Sequence, residues 1–184
     1  MFLEVVTRTY KRPTWLGFNQ ASLRIQTDTD WKQTLLVDEA GIGCAAANAR
    51  LADFEPAGDY VWVLDDDDYC VAPKMVETLR RVTVMHAQPP AILMRTIDEA
   101  FGVLPPDLLW QKPPVYASIG SSNIFTRADV WMRHRAAWAT GRYAADYDFI
   151  ESVWTEHSFG IIWHDLIVRS AMRISRGEPE TIYE

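Results

Sequence analysis

The stretch YVWVL at residues 60–64 is apolar at every position and runs straight into four aspartates, Asp65 to Asp68. A strand apolar throughout needs cover on both faces, which a parallel sheet flanked by helices provides. The aspartates add an electrostatic demand. Adjacent carboxylates repel one another, and each must be hydrated or paired, so such a run at a strand end calls for a cation. A divalent metal ion is the simplest candidate, and a solvated acidic turn is the alternative.

The flanking segments alternate between strand and helix. FLEVV (2–6) is a short strand, and the Pro-free segment 14–26, with Leu16 and Leu23 a heptad apart, predicts a helix despite Gly17. TLLV (34–37) is a second buried strand, and EAGIGCAAANARLADF (39–54) opens with a glycine turn and continues as an alanine-rich helix. Pro73 starts a helix with Met75, Leu79 and Val82 on one face, and AILM (91–94) is another strand. A long irregular stretch then runs to about Ser118 and holds Pro105, Pro106, Pro113 and Pro114, a length usually functional or mobile. NIF (123–125) is followed by TRAD, a capping-box-like start for a helix through about Trp138. A last helix follows Asp146, with Phe149, Ile150, Val153, Trp154 and His157 on one face, and GIIWHDLIV (160–168) is the final strand. The pattern predicts an α/β fold with a mostly parallel central sheet and helices on both faces. SRGEPETIYE reads as a frayed terminus.

Composition bounds the function. With 184 residues the chain fits one domain, and its net charge of -7 gives no basic excess to displace counterions from a nucleic acid. Cys44 and Cys70 lack CxxC spacing and read as small apolar residues in a reducing compartment. No apolar run approaches bilayer-spanning length, and Met1 to Val6 lacks the pattern of a signal peptide, so a cytoplasmic protein is expected. Most of the 8 tryptophans are expected in the core rather than stacked on sugars.

Ligands of open parallel sheets bind beyond the carboxyl ends of the strands. The first three strands end in TRTYKR, DEAG and DDDD, which places three polar clusters on one edge. Hard oxygen ligands without nearby thiols favour Mg2+ or Mn2+, held by one or two carboxylates plus substrate phosphates.

In order along the chain, VVTRTYKRP, LLVDEAG, AAANARLA and LDDDDYCVAP resemble the N-terminal half of inverting family 2 glycosyltransferases with the GT-A fold. GSSNIFTRADVW resembles the family's acceptor-side strand and helix, and AADYDF its motif before the catalytic helix, so the resemblance covers about residues 1–170. It implies a single GT-A-like domain over 1–184, with a nucleotide-sugar half (1–95), an acceptor-side half (96–170) and a C-terminal tail (171–184). Carried over, Thr7, Arg8, Thr9 and Tyr10 line the pocket for base and ribose with Arg12 nearby, Asp38 or Glu39 accepts from the base, and Asn48 contacts the donor. Asp65 and Asp67 match the DxD motif, with Asp66 and Asp68 as substitutes if the register slips by one. His164 is a further candidate metal ligand, although a lone histidine near an apolar strand is more often structural.

Asp146 matches the catalytic base that deprotonates the acceptor hydroxyl, although its position at a helix start also suits an N-cap. Ala47 stands where the family usually has arginine, Ala145 where it usually has glutamate, and the DxD segment has one extra residue before Pro73. The implied reaction moves a sugar from a UDP- or GDP-sugar to a carbohydrate or other hydroxyl acceptor with Mn2+ or Mg2+. A non-catalytic nucleotide-sugar or carbohydrate binding module, and a phosphohydrolase using Asp65 as nucleophile, are the competing readings.

Overall fold

A computed structural model describes residues 2–98 and 101–170. The expected tail at 171–184 lies outside the described residues. The chain runs β1 (Leu3–Thr9), α1 (Pro13–Arg24), β2 (Trp31–Val37), α2 (Cys44–Ala52), β3 (Tyr60–Val63), β4 (Asp68–Cys70), α3 (Met75–Met85), β5 (Ala91–Asp98) and β6 (Gly102–Leu104). It continues with β7 (Ile124–Arg127), α4 (Ala128–His134), α5 (Ala145–His157) and β8 (Ile162–Ser170), joined by short 3-10 turns.

The strands form one sheet in the order β2-β1-β3-β7-β5-β8-β4, with β6 on β5. The pattern of side chains explains its two covered faces. Along β3, Val61 and Val63 join a core with Leu51 of α2, Trp131 of α4 and Phe149 of α5. Tyr60 and Trp62 point the other way, to Leu23 of α1 and Met75, Leu79 and Val82 of α3. Burying each such aliphatic side chain stabilises the fold by roughly 1.5–3 kcal/mol. The α/β class therefore holds, with helices on both faces.

The sheet is mixed rather than mostly parallel. β1 pairs in parallel with β2 and β3, and β5 with β8, whereas β7 runs antiparallel to both β3 and β5, and β4 antiparallel to β8. Parallel neighbours need a crossover, usually a helix. The chain between β5 and β7 has none among its described residues, and it re-enters the sheet in the opposite direction.

That long connection is anchored. Asn123 donates through Nδ2 to the carbonyls of Met94 (2.8 Å) and Leu104 (3.1 Å), and the Arg95 guanidinium lies 4.0 Å over the Trp110 ring. Two helix starts differ from expectation. The TRAD capping box does not form, because Arg127 turns its guanidinium to Asp129 (Nε–Oδ1 2.6 Å) and α4 ends at His134 before a 3-10 turn. Pro73 lies in the turn before α3 rather than at its first residue.

Candidate active site

Parallel pairing puts the ends of β1, β2 and β3 together: Thr9 is in register with Val37, and Val6 with Val63. The polar residues that follow each strand meet there. They line a cleft of about 460 Å³ shared with the turn at 120–123 and the start of α5.

Arg8 organises the floor of this cleft. Its guanidinium forks onto Asp65 (Nε–Oδ1 2.8 Å, Nη2–Oδ2 2.5 Å), and Nη1 donates to the Asn48 side-chain carbonyl. Ser121 Oγ also donates to Asp65 Oδ2 (2.5 Å). Burial works against the charge on both partners, but the bidentate pairing outweighs it, so Asp65 is held below the usual carboxylate range and Arg8 well above its own. Arg12 serves the next two carboxylates, reaching Asp66 Oδ1 (3.0 Å) and Asp67 Oδ2 (3.1 Å) through Nη1. Asp68 accepts from the Ser122 hydroxyl.

Two arginines and two serines thus compensate part of the four-aspartate run. The rest remains unpaid. Burial pushes Asp66 up to about 6, and burial with Asp67 and Asp65 as neighbours pushes Asp68 well above the usual range. Asp66 Oδ2 and Asp68 Oδ1 are buried oxygens without a hydrogen-bond partner. Orphaned carboxylate oxygens in a cleft suit a hard divalent cation. Among the described residues, no three of these carboxylates bring oxygens close enough to hold an ion alone. The ligand set fits an ion that takes its remaining oxygens from a diphosphate.

The aspartate turn is itself clamped by Asn19, fully buried in α1. Its Nδ2 donates to the backbone carbonyls of Asp65 and Asp68 (both 2.9 Å), while its Oδ1 accepts from Gln33 Nε2 (2.7 Å). On the opposite wall, α5 begins at Ala145 with Ala144 as its N-cap, so Asp146 is not the cap. Asp146 Oδ1 accepts from the Tyr147 backbone N–H (2.8 Å). Its Oδ2 faces Gly120, where an added methyl would stand 3.8 Å away. Burial raises the Asp146 carboxyl to about 6, against the opposing pull of that N–H and of Arg8.

No family model matches the chain, and no curated protein matches it. Solved structures do. The Staphylococcus aureus TarS 1-349 structure in complex with UDP-GlcNAc superposes with a TM-score of 0.66 at 18% identity, over 97% of this chain and 60% of that one. TarS 1-349 alone gives 0.67 at 14% identity over 93% and 60%. A glycosyltransferase involved in glycosylation of the major capsid of PBCV-1 gives 0.60 at 12% identity over 90% and 82%. The chain has a GT-A-type glycosyltransferase fold. It spans about 60% of the TarS 1-349 chain it matches.

Within this GT-A-type fold, the cleft gathers Arg8, Thr9, Tyr10, Arg12, Asp38, Asn48, Asp65, Asp66, Asp67, Asp68 and Asp146. Three expected site residues stay out of its lining. Thr7 is fully buried two residues back from the end of β1, its hydroxyl accepting from Gln33 Nε2 (2.8 Å). Glu39 is exposed beside the cleft rather than within it. His164 is not placed to ligate an ion with the aspartates. It lies on β8 about 20 Å along the strand from Ser170, the β8 residue that reaches the cleft, at about 3.3 Å per residue, and its Nδ1 accepts from Leu166 N–H (3.2 Å).

Asp38 is already engaged, with Oδ1 accepting from Ala40 and Gly41 N–H (3.0 and 2.8 Å) and Oδ2 from Ile42 N–H (2.8 Å). It shapes the turn beside Tyr10, whose hydroxyl would lie 2.6 Å from a Cβ at Gly41 (φ +72°). Only glycine allows both that backbone and that contact. Ala145 is fully buried in the core, so a carboxylate there would be stranded in apolar surroundings. Cys70 is buried as expected, but Cys44 is exposed and lines the cleft. No tryptophan lines the cleft, whose aromatic residues are Tyr10, Tyr116 and Tyr143.

Asn19, Ser121 and Ser122 were not legible as site residues. An asparagine inside a predicted helix, where it is a poor helix former, was the available signal for Asn19.

Proposed function

We propose that the chain transfers a sugar from a nucleoside-diphosphate sugar to an acceptor hydroxyl with inversion at the anomeric carbon, as family 2 enzymes do. The observation that carries this reading is the meeting of the Arg8–Asp65 pair, the Arg12-bridged aspartates and Asp146 in one cleft. The fold supports it, since TarS, which shares that fold, has been crystallised with UDP and with UDP-GlcNAc.

Each residue has a chemical part. Arg8 and Asn48 fix Asp65, and Asn19 fixes the turn that presents the following carboxylates. Asp67, with the unpartnered oxygen of Asp66 or of Asp68, would hold Mn2+ or Mg2+ together with diphosphate oxygens; when bound, such an ion supplies Lewis-acid stabilisation of the departing diphosphate. Tyr10, Thr9 and Arg12 border the donor end. Asp146, with Oδ2 facing the open Gly120 wall, accepts the proton of the acceptor hydroxyl while the acceptor's own oxygen forms a bond to the anomeric carbon and the bond to the diphosphate breaks. A single in-line displacement of this kind inverts the configuration. A base with a pKa near 6 is ionised at neutral pH yet basic enough to take the proton.

The phosphohydrolase reading finds no support in this geometry. Both Asp65 oxygens accept from Arg8, and Oδ2 also accepts from Ser121, so the would-be nucleophile is tied down.

The decisive experiment is a thermal-shift screen of UDP, GDP and their sugars with and without Mn2+. A ligand specific for the folded state raises Tm by mass action, by about 2.7 kcal/mol of stability at a hundredfold excess over Kd. Asp67→Ala is expected to remove the metal-dependent part of that shift. No shift with any common nucleotide overturns the proposal.

A further inference from the structure

Away from the cleft, α4 and α5 each finish in a histidine, His134 and His157, and Glu156 stands beside them. None of the three lines the cleft. His134 Nε2 lies 3.3 Å from one Glu156 oxygen, and His157 Nε2 lies 3.6 Å from the other. The two imidazole rings have centroids 5.7 Å apart at 77°. The His134 side chain is only 10% exposed, and both Nε2 atoms are buried without a well-formed hydrogen bond.

We propose that His134 Nε2, His157 Nε2 and the Glu156 carboxylate form a transition-metal site, suited to Zn2+, that ties the end of α4 to the end of α5. Two nitrogens and one oxygen are the donor set of three-ligand zinc centres, with water in the fourth position. Tetrahedral bonds of about 2.0–2.2 Å set neighbouring ligand atoms roughly 3.4 Å apart, so the observed separations need only small side-chain adjustments. One donor atom from each residue already falls within 4.8 Å of the others. Buried imidazole nitrogens with no partner carry a desolvation cost that a metal bond removes. The site also sits at the carboxyl end of the 13-residue helix α5, where the helix dipole favours a cation.

Arg133 now pairs with Glu156 and is the competitor for its carboxylate. Its side chain is 61% exposed, free to swing into water when an ion arrives.

The test is a Zn2+ titration of the metal-stripped full chain against a chromophoric chelator, with Co2+ as a spectroscopic probe. The background is Asp67→Ala, which weakens the cleft's own hold on an ion, and the histidine variants separate the two sites. One equivalent of Zn2+ is expected to bind and raise Tm, and Co2+ to give the intense visible bands of a four-coordinate nitrogen–oxygen site. His134→Gln and His157→Gln should each weaken binding at least tenfold, while Arg133→Ala, which does not touch the core, should tighten it. If Arg133→Ala leaves affinity unchanged and the His134→Gln/His157→Gln pair binds Zn2+ as the parent does, the site is not there. Absence of stoichiometric binding in the parent chain has the same meaning. None of these outcomes depends on the glycosyltransferase reading, which has its own nucleotide screen.

Discussion

Asp146 and Asp66 carry nearly the same acidity for different reasons of use. At Asp146, burial raises the carboxyl to about 6 while its Oδ1 keeps one backbone donor. As a general base it must be ionised, so turnover is expected to fall roughly tenfold per pH unit below about 6 and to level off above it. Asp146→Asn should keep nucleotide binding, measured by thermal shift, and lose transfer, measured by product release. Asp66 is raised to about 6 by burial as well, from an ordinary value of 3.8. The sign follows from proton linkage: the folded state holds this proton more tightly than the unfolded chain, so the stability this group contributes is fully present below about pH 4 and is lost as pH rises through 6. Asp66→Asn is therefore expected to stabilise the metal-free protein at pH 7 by on the order of 1–3 kcal/mol, read from urea denaturation. The same substitution should weaken the Mn2+-dependent nucleotide shift, since it replaces an oxygen that an ion would use.

The elements earn their positions through a few cross-links. Asn19 in α1 joins the carbonyls of Asp65 and Asp68 to Gln33 of β2, which fixes the aspartate turn against two neighbours. Removing it takes the donor from the Asp65 and Asp68 carbonyls and leaves the Gln33 amide only its bond to Thr7, a loss of about 2–3 kcal/mol in Asn19→Ala. Because the turn loosens at the same time, nucleotide affinity should fall along with the urea midpoint. The turn between β2 and α2 depends in the same way on Gly41. Strands and helices were legible wherever apolar residues kept their period, as in β3 and α3, while β4 and β6 were not, being only three residues each and lacking a periodic signal. The 3-10 continuation of α4 also escaped notice, because its Trp138 fits the helical spacing and only the packing of its ring on Phe149 (5.1 Å) shows what holds it.

At the scale of the whole molecule, an excess of buried carboxylate sits in one cleft while the cations available there are two arginines. The metal-free chain should consequently gain stability as pH drops from 7 towards 5, and Mn2+ with UDP should flatten that dependence by supplying the missing positive charge; differential scanning calorimetry across this range checks both. Among the described residues, no helix is long and apolar enough to cross a membrane. From the sequence alone came the α/β class, the strand edge on which the polar clusters gather, and Asp65 to Asp68, because these follow from local periodicity and from charge that has to be compensated; Asp146 came from the resemblance of AADYDF to a family motif. Only the tertiary structure decided that Arg8 forks onto Asp65, that Thr7 and His164 stay out of the cleft, and that β7 enters the sheet backwards. Those outcomes depend on which side chains meet across distant segments, such as Arg8 with Asp65 and Asn19 with Asp68, and separation along a chain carries no record of that meeting.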